Sequence, residues 1–357
     1  MKQNSKIYIA GHRGMVGSAI LRLLESRGFN NIRIRTHSEL DLTNQKEVET
    51  FFEKEKPEYV FLAAAKVGGI LANDTYKAEF IYENIMISAN VIHSSYKFGV
   101  KKLLNFGSSC IYPKIVQQPM TEGDLLTGRL EPTNEPYAIA KISALKLCRY
   151  YNEQYGINFI SVMPTNLYGP NDNFNLETSH VFAAFIRKFY LARLLRNRDF
   201  EGIKRDIQRV PLGFNLNSDE VVRNDETIKD ALKKLSITEE YIIIWGAGEV
   251  YREFMHVDDL ADASIVLMEN YGYREIGELL NIGTGEDIKI KNLAALVGKI
   301  VGFEGEIRYD LSRPEGTPKK LLDVSRARSL GWEAKISLEE GLRKTYDWYC
   351  NFNQVKQ

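Results

Sequence analysis

The stretch Lys6-Ile7-Tyr8-Ile9-Ala10-Gly11-His12-Arg13-Gly14-Met15-Val16-Gly17 decides the fold. Its first five residues read as a buried strand, and an apolar pattern of helical period follows Gly14 to about residue 27. Between them stands Gly-x-x-Gly-x-x-Gly. The first glycine permits a tight turn, the second lets backbone approach a pyrophosphate, and the third lets helix pack on strand, while the helix N-terminus supplies amide donors. Strand, glycines and helix in this order predict a dinucleotide site lined by Gly11, His12, Arg13, Gly14, Met15, Val16 and Gly17. His12 reads as a packing or exposed residue of that loop rather than a catalyst.

Downstream, Asn31-Ile32-Arg33-Ile34-Arg35 reads as a second strand, and no acidic residue follows it to hold the ribose hydroxyls of NAD. Arg13, Arg35 and His37 instead surround the place of a 2′-phosphate, which predicts NADP. Asp41-Leu42 falls where a loop would cover the adenine. A helix over residues 45–55, the strand Tyr59-Val60-Phe61-Leu62, and the small run Ala63-Ala64-Ala65 come next, the last letting a cofactor approach closely. Residues 66–70 read as a flexible loop, 75–98 as a long helix and 102–106 as a strand. This alternation predicts an α/β protein built on a Rossmann-type doubly wound parallel sheet, with its ligand crevice at the carboxyl ends of the strands.

Behind the strand ending Phe106-Gly107-Ser108-Ser109-Cys110 lies Tyr137-x-x-x-Lys141, and none of the other 18 of the chain's 19 tyrosines has lysine four residues on. On a helix this spacing sets phenol and ammonium on one face, where the positive charge is expected to lower the tyrosine's pKa and make a proton donor. A hydroxyl from Ser108 or Ser109 would share the same carbonyl oxygen.

A further strand over 158–163 ends in Pro164-Thr165-Asn166-Leu167-Tyr168-Gly169-Pro170, and the alternation then lapses. We expect a cofactor domain over 1–168, with a return segment near 251–285, and a smaller C-terminal α/β substrate domain over 169–250 and 286–357. The charge-rich residues 195–240 read as a solvated helical insertion on its surface, and 313–320 as a polar loop. In Arg252-Glu253-Phe254-Met255-His256-Val257-Asp258-Asp259, Asp258 or Asp259 reads as a helix cap and His256 as structural.

Lys+Arg and Asp+Glu both number 47, so the formal net charge is zero and nothing suggests nucleic acid. Three unpatterned cysteines, Cys110, Cys148 and Cys350, argue against a disulfide framework or a metal site and for the reducing cytoplasm. No apolar run approaches a membrane span, and no leader is expected.

Several blocks together resemble the extended short-chain dehydrogenase/reductase superfamily and, within it, the GDP-L-fucose synthase family. They are Gly11-His12-Arg13-Gly14-Met15-Val16-Gly17-Ser18, Ala63-Ala64-Ala65-Lys66-Val67-Gly68-Gly69-Ile70, Gly107-Ser108-Ser109-Cys110-Ile111-Tyr112-Pro113, Glu131 to Lys141, Met163 to Pro170 and Arg252 to Asp259. The resemblance spans nearly all of the chain outside 195–240. It implies a homodimer that epimerises C3 and C5 of GDP-4-keto-6-deoxy-D-mannose and then reduces C4 with NADPH, giving GDP-L-fucose. Tyr137 would protonate the C4 oxygen, Lys141 would support it and hold the nicotinamide ribose, and Ser108 would assist. Cys110 and His180 would form the epimerising pair. Pro164, Asn166, Leu167 and His180 would border the nicotinamide. Ser108, Ser109, Asn166, Lys188, Trp245, Arg252, Glu315 and Lys320 would hold the GDP-sugar. The family commonly has arginine where His37 stands, which leaves the 2′-phosphate to Arg13 and Arg35. Two other readings compete: a C4 reductase of a related GDP-4-keto-6-deoxy sugar such as a heptose, without epimerisation, and a non-catalytic dinucleotide sensor, for which the trio Ser108, Tyr137 and Lys141 would be needless.

Overall fold

The structure is a computed structural model and describes residues 1–312 and 316–354. Its first half alternates as expected. β1 (Ile7–Ala10), α1 (Met15–Ser26), β2 (Ile32–Arg33), α2 (Gln45–Glu55) and β3 (Tyr59–Leu62) are followed by α3 (Ile70–Thr75), α4 (Lys77–Lys97), β4 (Lys102–Phe106), α5 (Glu135–Tyr155) and β5 (Phe159–Pro164). Successive strand residues point to opposite faces. Ile7 and Ile9 therefore pack with Ile20 and Leu24 of α1, while Tyr8 and Ala10 pack with Val48 and Phe52 of α2 and Val91 of α4. Helices on both faces are why these strands are apolar throughout rather than alternating.

The second strand is shorter than predicted. Only Ile32 and Arg33 pair, with Ile7 and Tyr8, at the edge of the sheet.

The second half contains β6 (Asn166–Tyr168), α6 (Val181–Arg196), α7 (Phe200–Arg209), α8 (Ser218–Val221), α9 (Asp225–Lys234), β7 (Tyr241–Trp245) and β8 (Tyr251–His256). α10 (Val257–Asn270) and α11 (Tyr273–Ile276) then lead to β9 (Leu280–Ile282), which completes a six-stranded parallel sheet of order β2-β1-β3-β4-β5-β9. His256, not Asp258 or Asp259, caps α10: its Nδ1 accepts from the Asp258 amide at 3.2 Å. The chain ends with β10 (Asp287–Lys289), α12 (Ile290–Val301), β11 (Glu306–Asp310), β12 (Lys319–Lys320), α13 (Ser325–Ser329) and α14 (Leu338–Gln354).

Residues 195–240 depart from expectation. Ile203 and Ile207 of α7, Ile228 and Leu232 of α9, and Leu212, Val221 and Ile237 are buried in one cluster with Phe182 and Phe189 of α6, Val297 of α12 and Tyr349 of α14. The charges that suggested a solvated insertion occupy the outer faces of helices whose i, i+4 apolar positions point inward. Beneath them lies a fully buried ion pair. Nε and Nη2 of Arg187 donate to Oδ1 of Asp206 at 2.9 and 2.8 Å, Nη1 donates to the carbonyls of Phe174 and Pro211, both at 3.0 Å, and the Tyr349 hydroxyl donates to Asp206 Oδ2.

Candidate active site

The cofactor cradle follows from the glycines. Gly14 caps α1 without a side chain, so the first amides of the helix face the crevice beyond β1 and β3. A Cβ on Gly17 would lie 2.2 Å from the Gly11 carbonyl oxygen, so only glycine lets this helix meet its loop. Arg13 is exposed and has no hydrogen-bond or ion-pair partner among the described residues. Arg35 does not point where predicted. Its Nη2 donates to Oε1 of Glu55 at 3.0 Å, and its guanidinium carbon lies 5.4 Å from the centre of the Phe51 ring; Glu55 also holds Arg33. A carboxylate and an aromatic face outcompete water for this guanidinium. Glu39, which sequence reading passed over, accepts from the amide and hydroxyl of Thr36 at 2.7 and 2.8 Å, and those bonds hold its carboxyl below the usual range. His37 is exposed, 3.9 Å from Asp41. His12 is half-buried, and desolvation followed by the charge of Arg13 pushes its pKa down, which suits a packing role.

Asp41 Oδ1 accepts from the amide and hydroxyl of Thr43 at 2.9 and 2.8 Å, and Asn90 donates to the Leu42 carbonyl at 2.9 Å, so this loop is held firmly in place. Ala63, Ala64 and Ala65 follow β3. The loop after them is not free: buried Asn84 accepts from the Lys66 amide and donates to its carbonyl, both at 3.0 Å. Pro164 ends β5, and Asn166 and Leu167 lie on β6, where Asn166 Nδ2 donates to the Glu253 carbonyl at 2.8 Å.

The catalytic candidates converge at the carboxyl end of β4. Lys141 is buried on α5, its ammonium donating to the Phe106 carbonyl at 2.8 Å and lying 5.7 Å from the centre of the Tyr137 ring. Desolvation pulls Lys141 down to about 8. The Tyr137 phenol is pushed up, first by desolvation and then by the Cys110 thiol, contrary to the expected depression. Loss of solvation outweighs the ammonium at this distance, so Tyr137 holds its proton at neutral pH. Ser108 Oγ accepts from the Cys110 amide at 3.2 Å, which leaves its hydrogen for another oxygen, whereas Ser109 is buried.

Cys110 Sγ lies 3.6 Å from the ammonium of Lys320. Lys320 is not in a loop: β12 pairs with β8 and sets Lys320 beside Arg252. His180 caps α6 within electrostatic reach of Lys320, and solvent still touches its side chain. Desolvation, then the charge of Lys320, push its pKa down. Two turns along α6, the ammonium of Lys188 has no hydrogen-bond or ion-pair partner among the described residues, and desolvation pulls it down to about 8. An uncompensated cation in a desolvated position suits a diphosphate. Trp245 is half-exposed at the end of β7. Glu315 lies outside the described residues.

Residues 7–203 and 222–283 match the model of the NAD dependent epimerase/dehydratase family. The chain belongs to that family. GDP-L-fucose synthase 1 of Arabidopsis thaliana is 50% identical to it, over 98% of this chain and 95% of its own. The GDP-L-fucose synthase of Escherichia coli K12 is 47% identical, over 96% of each. Among solved structures, MlghC, a GDP-mannoheptose C4 reductase from Campylobacter jejuni with NADP bound, superposes with a TM-score of 0.83 at 41% identity, covering 98% of this chain and 99% of its own.

The epimerase/dehydratase site also depends on residues that motif reading missed. The buried carboxylate of Glu253 accepts from the amides of Thr284, Gly285 and Leu322 at 2.7, 2.9 and 2.9 Å, tying β8 to the β12 segment that carries Lys320. Asn281 of β9 accepts from the Tyr112 hydroxyl at 2.6 Å and donates to the Met120 carbonyl at 3.0 Å, steadying the loop after Cys110. Asn281 carried a signal, a polar residue between Leu280 and Ile282 of β9, whereas Glu253 stands beside Arg252 in β8 and carried none.

Proposed function

We propose that this protein converts GDP-4-keto-6-deoxy-D-mannose to GDP-L-fucose, epimerising C3 and C5 before reducing C4. It is an NADPH-dependent enzyme of the epimerase/dehydratase family. The observation that carries the two-step reading is the contact of Cys110 Sγ with Lys320 Nζ at 3.6 Å, beside the Ser108, Tyr137 and Lys141 trio. A thiol has no task in simple reduction. It has one where a proton must leave the carbon next to a ketone or be returned to it.

The C4 ketone makes the protons on C3 and C5 removable, so epimerisation precedes reduction. Cys110 and His180 exchange those protons from opposite faces, while Ser108 and Tyr137 donate hydrogen bonds to the enolate oxygen. NADPH, when bound, would supply the hydride for reduction of C4. As C4 becomes a secondary alcohol, Tyr137 gives its proton to the oxygen and the Lys141 ammonium stabilises the phenolate left behind. Lys188, Arg252 and Trp245 hold the nucleotide diphosphate, with Arg13 on the 2′-phosphate and residues 11–17, 41–42, 63–65, 164 and 166–167 around the cofactor. On this reading residues 1–168 with 251–285 form the cofactor half, and 169–250 with 286–357 the substrate half. The enzyme acts as a cytoplasmic homodimer. The reading is supported by an exposed aromatic group on α4 and α5, where Tyr96 stacks on Tyr155 at 4.2 Å beside Tyr151 and exposed Tyr150. Among the described residues no helix is long and apolar enough to cross a membrane.

The alternative, C4 reduction of a GDP-4-keto heptose without epimerisation, is favoured by the fold shared with the heptose reductase. Turnover in D₂O separates the two. The expected product carries solvent deuterium at C3 and C5, and Cys110→Ser yields unepimerised, 4-reduced sugar nucleotide. Wild-type product of unchanged configuration without deuterium overturns the epimerase step.

A further inference from the structure

We infer that Gly69 is a positioning residue for His180, and that the brace it forms adjusts the epimerising half of the site independently of the reducing half. The inference rests on the epimerase-reductase reading above. The Gly69 amide donates to the Thr178 carbonyl at 2.9 Å, joining the loop after β3 to the turn that ends in His180. A Cβ on Gly69 would stand 2.8 Å from the Ser179 carbonyl oxygen and 3.2 Å from that of Thr178, both backbone atoms. The φ of Gly69 is −65°, which any residue adopts, so contact distance alone calls for glycine here.

Neither side of the contact yields easily. On one side Asn73 Nδ2 donates to the carbonyls of Gly68 and Gly69 at 2.6 and 3.1 Å, and Asn84 grips Lys66. On the other, the amides of Thr178 and Ser179 donate to the Asn175 carbonyl at 3.2 and 2.8 Å, and Asn173 donates to Thr178 Oγ1 at 2.9 Å, so the turn moves as a body. His180 is the next residue and the cap of α6, and it takes up the displacement. The atoms closest to a Cβ at Gly69 belong to Thr178 and Ser179, none to Ser108, Tyr137 or Lys141. Adjacent Gly68 differs: a Cβ there would meet Phe80 at 3.2 Å, and Phe80 packs edge-on against Tyr137.

The test is product partitioning by wild type, Gly69→Ala and Asn73→Ala, each given GDP-4-keto-6-deoxy-D-mannose and NADPH in D₂O, with NMR of the sugar nucleotides. Displacing a proton-transfer group by a fraction of an ångström to an ångström lowers its step by up to about 10²-fold. Gly69→Ala is therefore expected to slow deuterium entry by that order while still oxidising NADPH, so that unepimerised 4-reduced sugar accumulates. A general loss of fold would lower both steps together and leave the product ratio alone. Asn73→Ala releases the loop without adding a Cβ at the contact and is expected to shift the ratio in the same direction by less. Fully epimerised product at the wild-type rate from Gly69→Ala, or a wild-type ratio from folded Asn73→Ala if Gly69→Ala does not fold, overturns the brace. Wild type that incorporates no deuterium overturns the epimerase reading beneath it instead.

Discussion

The guanidinium of Arg35 lies on Glu55 and across Phe51, and on the function proposed above Arg13 is the residue that meets the 2′-phosphate of NADPH. Both arginines looked equivalent as sequence, since each stands near the carboxyl end of a strand. What separates them is a carboxylate twenty residues further on, in α2. A hydrogen bond to a charged group contributes about 1.5–3 kcal/mol, so Arg13→Ala is expected to raise the KM for NADPH by about 10- to 100-fold and to leave that for NADH nearly unchanged. Arg35→Ala removes a partly exposed ion pair, costs about 0.2–1 kcal/mol of stability, and keeps the preference for NADPH. Steady-state kinetics with both cofactors checks this pair. Loss of the preference in Arg35→Ala, with Arg13→Ala silent, would reverse the assignment.

Helix α6 holds two consecutive cations with opposite duties. Residues one apart on a helix point about 100° apart, so Arg187 enters the core while Lys188 points away from that ion pair. Burial makes the Arg187–Asp206 pair costly to break: removing one partner of such a pair destabilises a protein by about 3–5 kcal/mol, because the other charge is left unpaired. Arg187→Met is expected to lower the urea unfolding free energy by that amount, and Arg187→Met/Asp206→Leu to recover much of it. A single variant as stable as wild type would mean that the pair contributes nothing to holding α7 and α14 on α6. The same arrangement explains why 195–240 packs inward. Its apolar residues are spaced for one helix face, but without the partner faces of α6, α12 and α14 the charge between them dominates the reading.

At the scale of the whole molecule, the site lies between a sheet and a second packing unit built from later and discontinuous chain. The outer faces of α4 and α5 lie away from this cleft and carry Tyr82, Tyr150 and Tyr155, which are 62%, 54% and 43% exposed. Such a patch is expected to be covered by the same patch on a second copy. Size-exclusion chromatography with light scattering should give twice the 40.9 kDa chain mass, and Tyr150→Glu/Tyr155→Glu should give one chain mass with the fold retained. A monomeric wild type would remove the dimer.

The Rossmann-type sheet, the glycine turn between β1 and α1, and the helix that carries both Tyr137 and Lys141 were legible in the residues alone. These rest on local rules, namely residue periodicity, the space a glycine leaves and the pitch of a helix, all acting over a few neighbouring residues. Only the tertiary structure decided that Lys320 reaches Cys110 across 210 positions, that Glu55 takes Arg35, that Gly69 abuts the turn before His180, and that burial outweighs the ammonium at Tyr137. Each of these depends on desolvation or on contact between segments far apart in the chain, and neither quantity exists until the chain has folded.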